Sequence, residues 1–180
     1  MNLANQDNVE CEMNEAIHLH PLVFTLQNAI EGCGFLAGIT VRGKAVMELD
    51  ENGEWWMYGV CPGAVAGGGE TPNEAFLNFL NRYKEVLFDI ADECKTFLKF
   101  KSEVDAFFHA EDAAEDARWR RALEMVRQNA SAELPEPFTK FPRQKAEDFT
   151  TGIHVERLEN KKSQQYKPTN NIQNTVLQAA

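Results

Sequence analysis

Glycine and proline divide this chain more sharply than any other residue types. Ten of the 11 glycines lie between Gly32 and Gly69, and from Asn73 to Leu134 there is neither Gly nor Pro. Glycine serves tight turns, bulges and close backbone approach, whereas a long stretch without either breaker sustains helix. The chain must therefore pass from compact β geometry to helix near residue 70. That junction carries a helix start: Thr71 suits an N-cap, Pro72 suits the first helical position, and Glu74 stands where its carboxylate can reach back to the Thr71 amide. Apolar residues then recur at Phe76, Phe79, Leu80, Tyr83, Leu87, Ile90, Ala91 and Cys94, forming one helical stripe. The stripe weakens near Lys99-Phe100-Lys101, and Ser102 with Asp105 offers a restart, so two helices are expected, Pro72–Phe97 and Ser102–Asn129. In the second, Phe107, Phe108, Ala114, Leu123 and Val126 are the expected buried positions. Glu111-Asp112 and Glu115-Asp116 stand near the basic run Arg118–Arg121, the usual pattern of a solvated face with i,i+4 pairs.

Within the glycine-rich part, Asn52-Gly53 joins two apolar runs, Arg42–Glu51 and Glu54–Val60. Asn-Gly supplies the positive φ angles of a two-residue type I′ loop, so the runs are expected to pair as a hairpin. With Glu51 opposite Glu54, Leu49 faces Trp56, Met47 faces Tyr58 and Ala45 faces Val60 on the core side. The other side then carries Val46, Glu48 and Asp50 beside Trp55 and Met57, too acidic for a core and too apolar for an idle surface. The like-charge pair Glu51/Glu54 opposes this register, and a longer loop would shift it. Phe35–Val41 reads as a further strand, joined at Arg42-Gly43 through a tight turn or a bulge. Ile17–Ile30 is apolar, and its pattern leaves Leu22–Leu26 open between strand and short helix.

The order of motifs is informative. Glu54–Val60 runs into Cys61-Pro62-Gly63-Ala64-Val65-Ala66, then Gly69-Glu70-Thr71, then Glu74-Ala75 at the helix start. In this the chain resembles the HicB antitoxin-like family, matching mainly residues 43–94. There a strand ends in a Pro-Gly turn, one strand returns to Gly-Asp/Glu-Thr, and Glu-Ala opens the helix. The resemblance implies an α+β fold with a partial RNase H-like unit, a small antiparallel sheet packed by a long helix. It also implies a bacterial antitoxin that docks a HicA-like messenger-RNA-cleaving toxin and occludes its RNA-binding surface. The chain departs from the family in its longer helical region and in showing no ribbon-helix-helix or helix-turn-helix segment downstream, so promoter autoregulation does not carry over.

At 180 residues the chain can bury one good core plus an appendage. Residues 1–16 read as a flexible N-terminal arm, 17–134 as the α+β domain with its helical extension, and 135–158 as a linker opened by Pro135, Pro137 and Pro142. Within that linker, Phe149–Leu158 is a candidate edge strand. Residues 159–180 are rich in Asn, Gln and Lys and read as a disordered tail. Four scattered cysteines without C-x-x-C, no apolar run near ~18 residues and no signal-like start point to a reduced cytoplasmic protein. The net charge is −10, and of the charged residues in 1–70 all are acidic except Arg42 and Lys44. Such a field repels phosphate backbones and attracts basic partners, which weighs against direct nucleic-acid binding through the sheet; the plainer reading is solubility.

The catalytic alternatives are thin. Gly67-Gly68-Gly69 before a helix invites a phosphate cradle, but Glu70 and Glu74 already occupy the positive end of that helix. His18, His20, Cys11 and Cys33 are too irregularly spaced for structural zinc, and no nucleophile motif occurs. A metal-dependent RNase H-like nuclease using Glu48 and Asp50, with Glu54 nearby, is the enzyme reading with most content, yet it lacks the basic residues that bring in a polyanion. The preferred reading is a HicB-like or orphan binding protein without catalysis, metal or cofactor. Its sheet face, with Glu48, Asp50, Trp55 and Met57, takes a small basic protein or a second copy of the chain.

Overall fold

The computed structural model describes residues 18–128, 136, 138–140, 145 and 148–158. The expected arm 1–16, the tail 159–180 and most of the proline-rich linker lie outside the described residues. The fold is α+β: a curled antiparallel sheet with helices on both faces.

The undecided segment is a strand, β1 (Leu19–Gly32), paired with β2 (Phe35–Leu49) from Leu19 opposite Glu48 to Gly32 opposite Phe35. Leu19 to Phe24 are buried on both faces, so they show no apolar–polar alternation, and this erased the periodic signal. β2 is the axis of the sheet. One of its edges takes β1 throughout, while the other is shared: Lys44–Leu49 pair with β3 (Trp55–Cys61), and Leu36–Arg42 pair with β5 (Gly152–Leu158). A bulge at Lys44/Ala45, not a turn, marks the handover. β4 (Ala66–Gly69) extends the sheet beyond β3.

The hairpin register differs from the expected one by a single residue. Leu49 pairs with Trp55, Met47 with Met57 and Val46 with Tyr58. The loop holds three residues, Glu51-Asn52-Gly53, with the Asp50 amide donating to the Glu54 carbonyl at 2.8 Å and the Gly53 amide to the Asp50 carbonyl at 3.1 Å. Gly53, at φ 82°, takes the left-handed position that ends such a loop. The Asp50 carboxylate selects this geometry by accepting from the amides of Asn52 (2.9 Å) and Glu54 (2.8 Å). Because side chains alternate, the slip exchanges the two faces of β3: Trp55 and Met57 turn inward, and Trp56 and Tyr58 turn outward.

The expected first helix is α1 (Pro72–Glu93), capped by Thr71, whose hydroxyl accepts from the Glu74 amide at 3.2 Å. Glu74 reaches back to the Glu70 amide (3.0 Å), one residue earlier than expected. Phe76, Phe79, Leu80, Tyr83, Leu87, Ala91 and Cys94 are buried, and Ile90 packs at the margin. At Gly67 the sheet and α1 come so close that a Cβ would lie 2.2 Å from the Phe79 amide. α1 stops at Glu93, short of the expected Phe97, so the break expected near Lys99–Lys101 lies earlier, and the expected second helix, Ser102–Asn129, is instead two: α2 (Phe97–Phe108), capped by Thr96, and α3 (Ala113–Arg127), capped by Asp112. Asp112 accepts from the amides of Ala114 (2.9 Å) and Glu115 (3.1 Å), and its own amide donates to the Val60 carbonyl at 3.3 Å. The Gly63 amide donates to the Ala110 carbonyl at 2.9 Å, which fastens the α2–α3 link to the Cys61-Pro62-Gly63 turn. Ala114, expected inside, is exposed; Trp119 and Ala122 are buried instead.

Two apolar layers result. The larger lies between the sheet and α1 with α2, and includes Phe24, Met47, Met57, Phe79, Tyr83 and Phe100. The smaller lies on the opposite face, where Trp119, Ala122 and Leu123 of α3 cover Leu19, Val23, Val46 and Val60. Trp119 also donates its indole N–H to the Leu22 carbonyl at 3.1 Å, satisfying a backbone acceptor of β1. Among the described residues, no helix is long and apolar enough to cross a membrane.

Candidate docking face

Of the four residues that the sequence grouped on one face, two stay together. Glu48 and Asp50 remain on the face away from α1, but α3 packs on part of that face and pairs Arg118 with Glu48. Met57 is fully buried in the larger core, and Trp55 is half-buried at that core's margin, its ring stacked 6.2 Å from that of His20. The expected face therefore does not exist as drawn. The one-residue register shift puts Trp56 and Tyr58 where Trp55 and Met57 were placed.

Trp56 and Tyr58 form a half-buried pair, ring centroids 5.9 Å apart and planes 18° from parallel. Their cross-strand neighbours on β4 are Gly68 and Ala66, and a Cβ on Gly68 would lie 2.9 Å from the indole ring. The indole thus rests on bare backbone, and the strip beyond it has almost no side-chain relief. On β2 the direct neighbour of Trp56 is Glu48. Asp50 follows, its carboxyl held below the ordinary range mainly by the Glu54 amide, then by Asn52 and by a side-chain hydrogen bond from Trp56.

Arg118 of α3 closes the other end of the strip. It pairs with Glu48 across the sheet, donates to Glu115 at 2.9 Å, and holds its guanidinium 5.4 Å from the Tyr58 ring centroid. Burial and the negative charge of Glu48 raise the Tyr58 hydroxyl pKa, with Arg118 opposing. Leu19, Leu49, Glu51 and Arg121 join Glu48, Asp50 and Arg118 around a cleft of about 370 Å³ between the hairpin end and α3. What the arrangement offers chemically is a flat aromatic surface, carboxylates along one side, and a cation already seated on one of its rings.

Glu48 and Asp50 are engaged by Arg118 and by the loop amides, and among the described residues no three His, Cys, Asp or Glu side chains gather as a metal set. Cys11 lies outside the described residues; Cys33, Cys61 and Cys94 are free thiols. The glycine tract is β4 itself, and the α1 start is closed by Thr71 and Glu74. His20 is fully buried with neither ring nitrogen hydrogen-bonded, and desolvation, reinforced by His18, lowers its pKa to about 4.

No family model, curated protein or solved structure matches this chain.

The aromatic pair was missed because Trp55 and Trp56 are adjacent, so either phase of the strand gives an apolar face. The usable signal was Asp50: Asp at the start of an Asp-x-Asn-Gly loop favours side-chain-to-amide bonds and the longer turn. The repulsion of Glu51 and Glu54 in the two-residue loop pointed the same way.

Proposed function

We propose that this chain is a non-catalytic binding protein of the HicB-like kind, which docks a small basic protein, of the HicA-like toxin class, on the sheet face bearing Trp56 and Tyr58. The observation that carries the reading is this half-buried aromatic pair on the face away from α1, lying on glycine backbone and edged by Glu48 and Asp50. Aromatic side chains dominate the centres of protein interfaces. Carboxylates around such a centre favour a basic partner and disfavour nucleic acid. The strand, Pro-Gly turn, short strand and helix from Trp55 to Glu93 also follow the order that motivated the family resemblance.

The test is co-expression with the product of a neighbouring short, basic reading frame, followed by co-purification and calorimetry. Trp56→Ala should weaken the complex by about 2 kcal/mol, roughly 30-fold, while Trp55→Phe leaves affinity nearly unchanged. Retention of a basic partner with equal affinity by Trp56→Ala would remove this face from the interface. Self-association of the chain in place of partner binding would appear as a concentration-dependent mass in sedimentation.

A further inference from the structure

Arg118 displays how the aromatic strip holds a cation. Its guanidinium lies over the Tyr58 ring while its nitrogens bind the carboxylates of Glu48 and Glu115. A planar guanidinium stacks by its face while its edge makes forked hydrogen bonds; an ammonium, like that of Lys44 4.6 Å from the Trp119 ring centroid, makes the ring contact as a point charge without that fork. Trp56 presents a second ring of the same strip, nearly parallel to Tyr58. One side of the indole faces the backbone of Gly68, and Glu48 and Asp50 flank it on β2. The position thus has what Arg118 uses at Tyr58, an aromatic ring beside carboxylates, but no cation of this chain is placed over it by any ring contact among the described residues. Trp is also the stronger of the two rings for cation binding.

We propose that Trp56 is an arginine-stacking position, so that the partner is recognised through an Arg-bearing segment and not through positive charge alone. The proposal rests on the docking reading above and adds the side chain that is read. Lysine would gain the Coulomb attraction of the acidic hairpin end but would lose the planar stack and the forked hydrogen bonds. The side chain seated on Trp56 would continue the row begun by Arg118 on Tyr58, with the two guanidinium groups spaced as the two rings are.

The experiment uses the full chain with hexa-arginine and hexa-lysine peptides as probes and oligouridylate as a third arm, titrated by calorimetry at about 0.15 M salt, where exposed long-range attraction is screened. Hexa-arginine should bind about tenfold more tightly than hexa-lysine, and Trp56→Ala should remove that preference. Trp56→Phe should keep part of it. Gly68→Ala, whose added Cβ would displace the indole, should reduce it without loss of the far-ultraviolet circular dichroism of the fold. Equal, Trp56-dependent binding of both peptides would overturn arginine selection while leaving a basic-partner surface in place. Binding of neither peptide, or binding indifferent to Trp56→Ala, would overturn both readings. Trp56-dependent binding of oligouridylate in place of hexa-arginine would show base stacking and overturn the proposal.

Discussion

His20 is the residue at which this fold is most exposed to acid. Among the described residues it is the only histidine, lysine, arginine or carboxylate residue buried in the core, and both of its ring nitrogens lack a hydrogen bond. Burial there favours the neutral ring. With a folded pKa of about 4 against the ordinary histidine value of 6.5, the unfolded chain takes up the proton first as pH falls. The associated stability is whole above pH 6.5 and is lost between 6.5 and about 4, amounting to roughly 3 kcal/mol at about 1.4 kcal/mol per unit. His20→Phe should keep a ring against Trp55 and flatten this dependence. Urea midpoints at pH 7, 5.5 and 4.5 provide the check, and parallel curves for the two proteins would contradict it. Asp50, whose carboxyl is depressed from 3.8, acts in a separate window below that value, so the two contributions are distinguishable.

At the scale of elements, the helices were more legible than the hairpin. The α1 stripe and its Thr71 cap could be read because period and capping chemistry agreed. Phe79, fully buried with its ring 5.1 Å from that of Phe24, should cost about 3–5 kcal/mol on truncation to alanine, measured by equilibrium denaturation. The division of the second helix escaped notice because the break between Phe108 and Ala113 contains neither Gly nor Pro. It is made by a cap, Asp112, and by backbone bonds to the distant residues Val60 and Gly63. Asp112→Ala should accordingly lose about 1 kcal/mol, with Asp112→Asn or Asp112→Ser largely restoring it. In the hairpin, one loop residue decided the outcome. A dipeptide that fits two loop lengths could not fix the phase of a strand carrying adjacent tryptophans, and with the phase went half of the candidate site. Glu48 and Asp50 survived because the shift moved β3 and left β2 in place.

For the whole molecule, a net charge of −10 should speed encounter with a basic partner and make that rate fall steeply with salt. Glu48 and Asp50 are poor probes of this effect, since one is tied to Arg118 and the other shapes the loop. Glu51 and Glu54 are exposed beside them, so Glu51→Lys with Glu54→Lys should slow association in stopped flow while changing dissociation little. A further consequence comes from β2, whose one edge is divided between β3 and β5. Everything from β1 to α3 can form while Leu36–Arg42 still present bare amides and carbonyls, because the strand that covers them begins only at Gly152. During synthesis this leaves a sticky seam open until Leu158 has left the ribosome, and another nascent copy could zip onto it. A chain stopped after residue 128 should therefore be recovered largely as aggregate, and a synthetic Gly152–Leu158 peptide supplied during refolding should bring it back into solution.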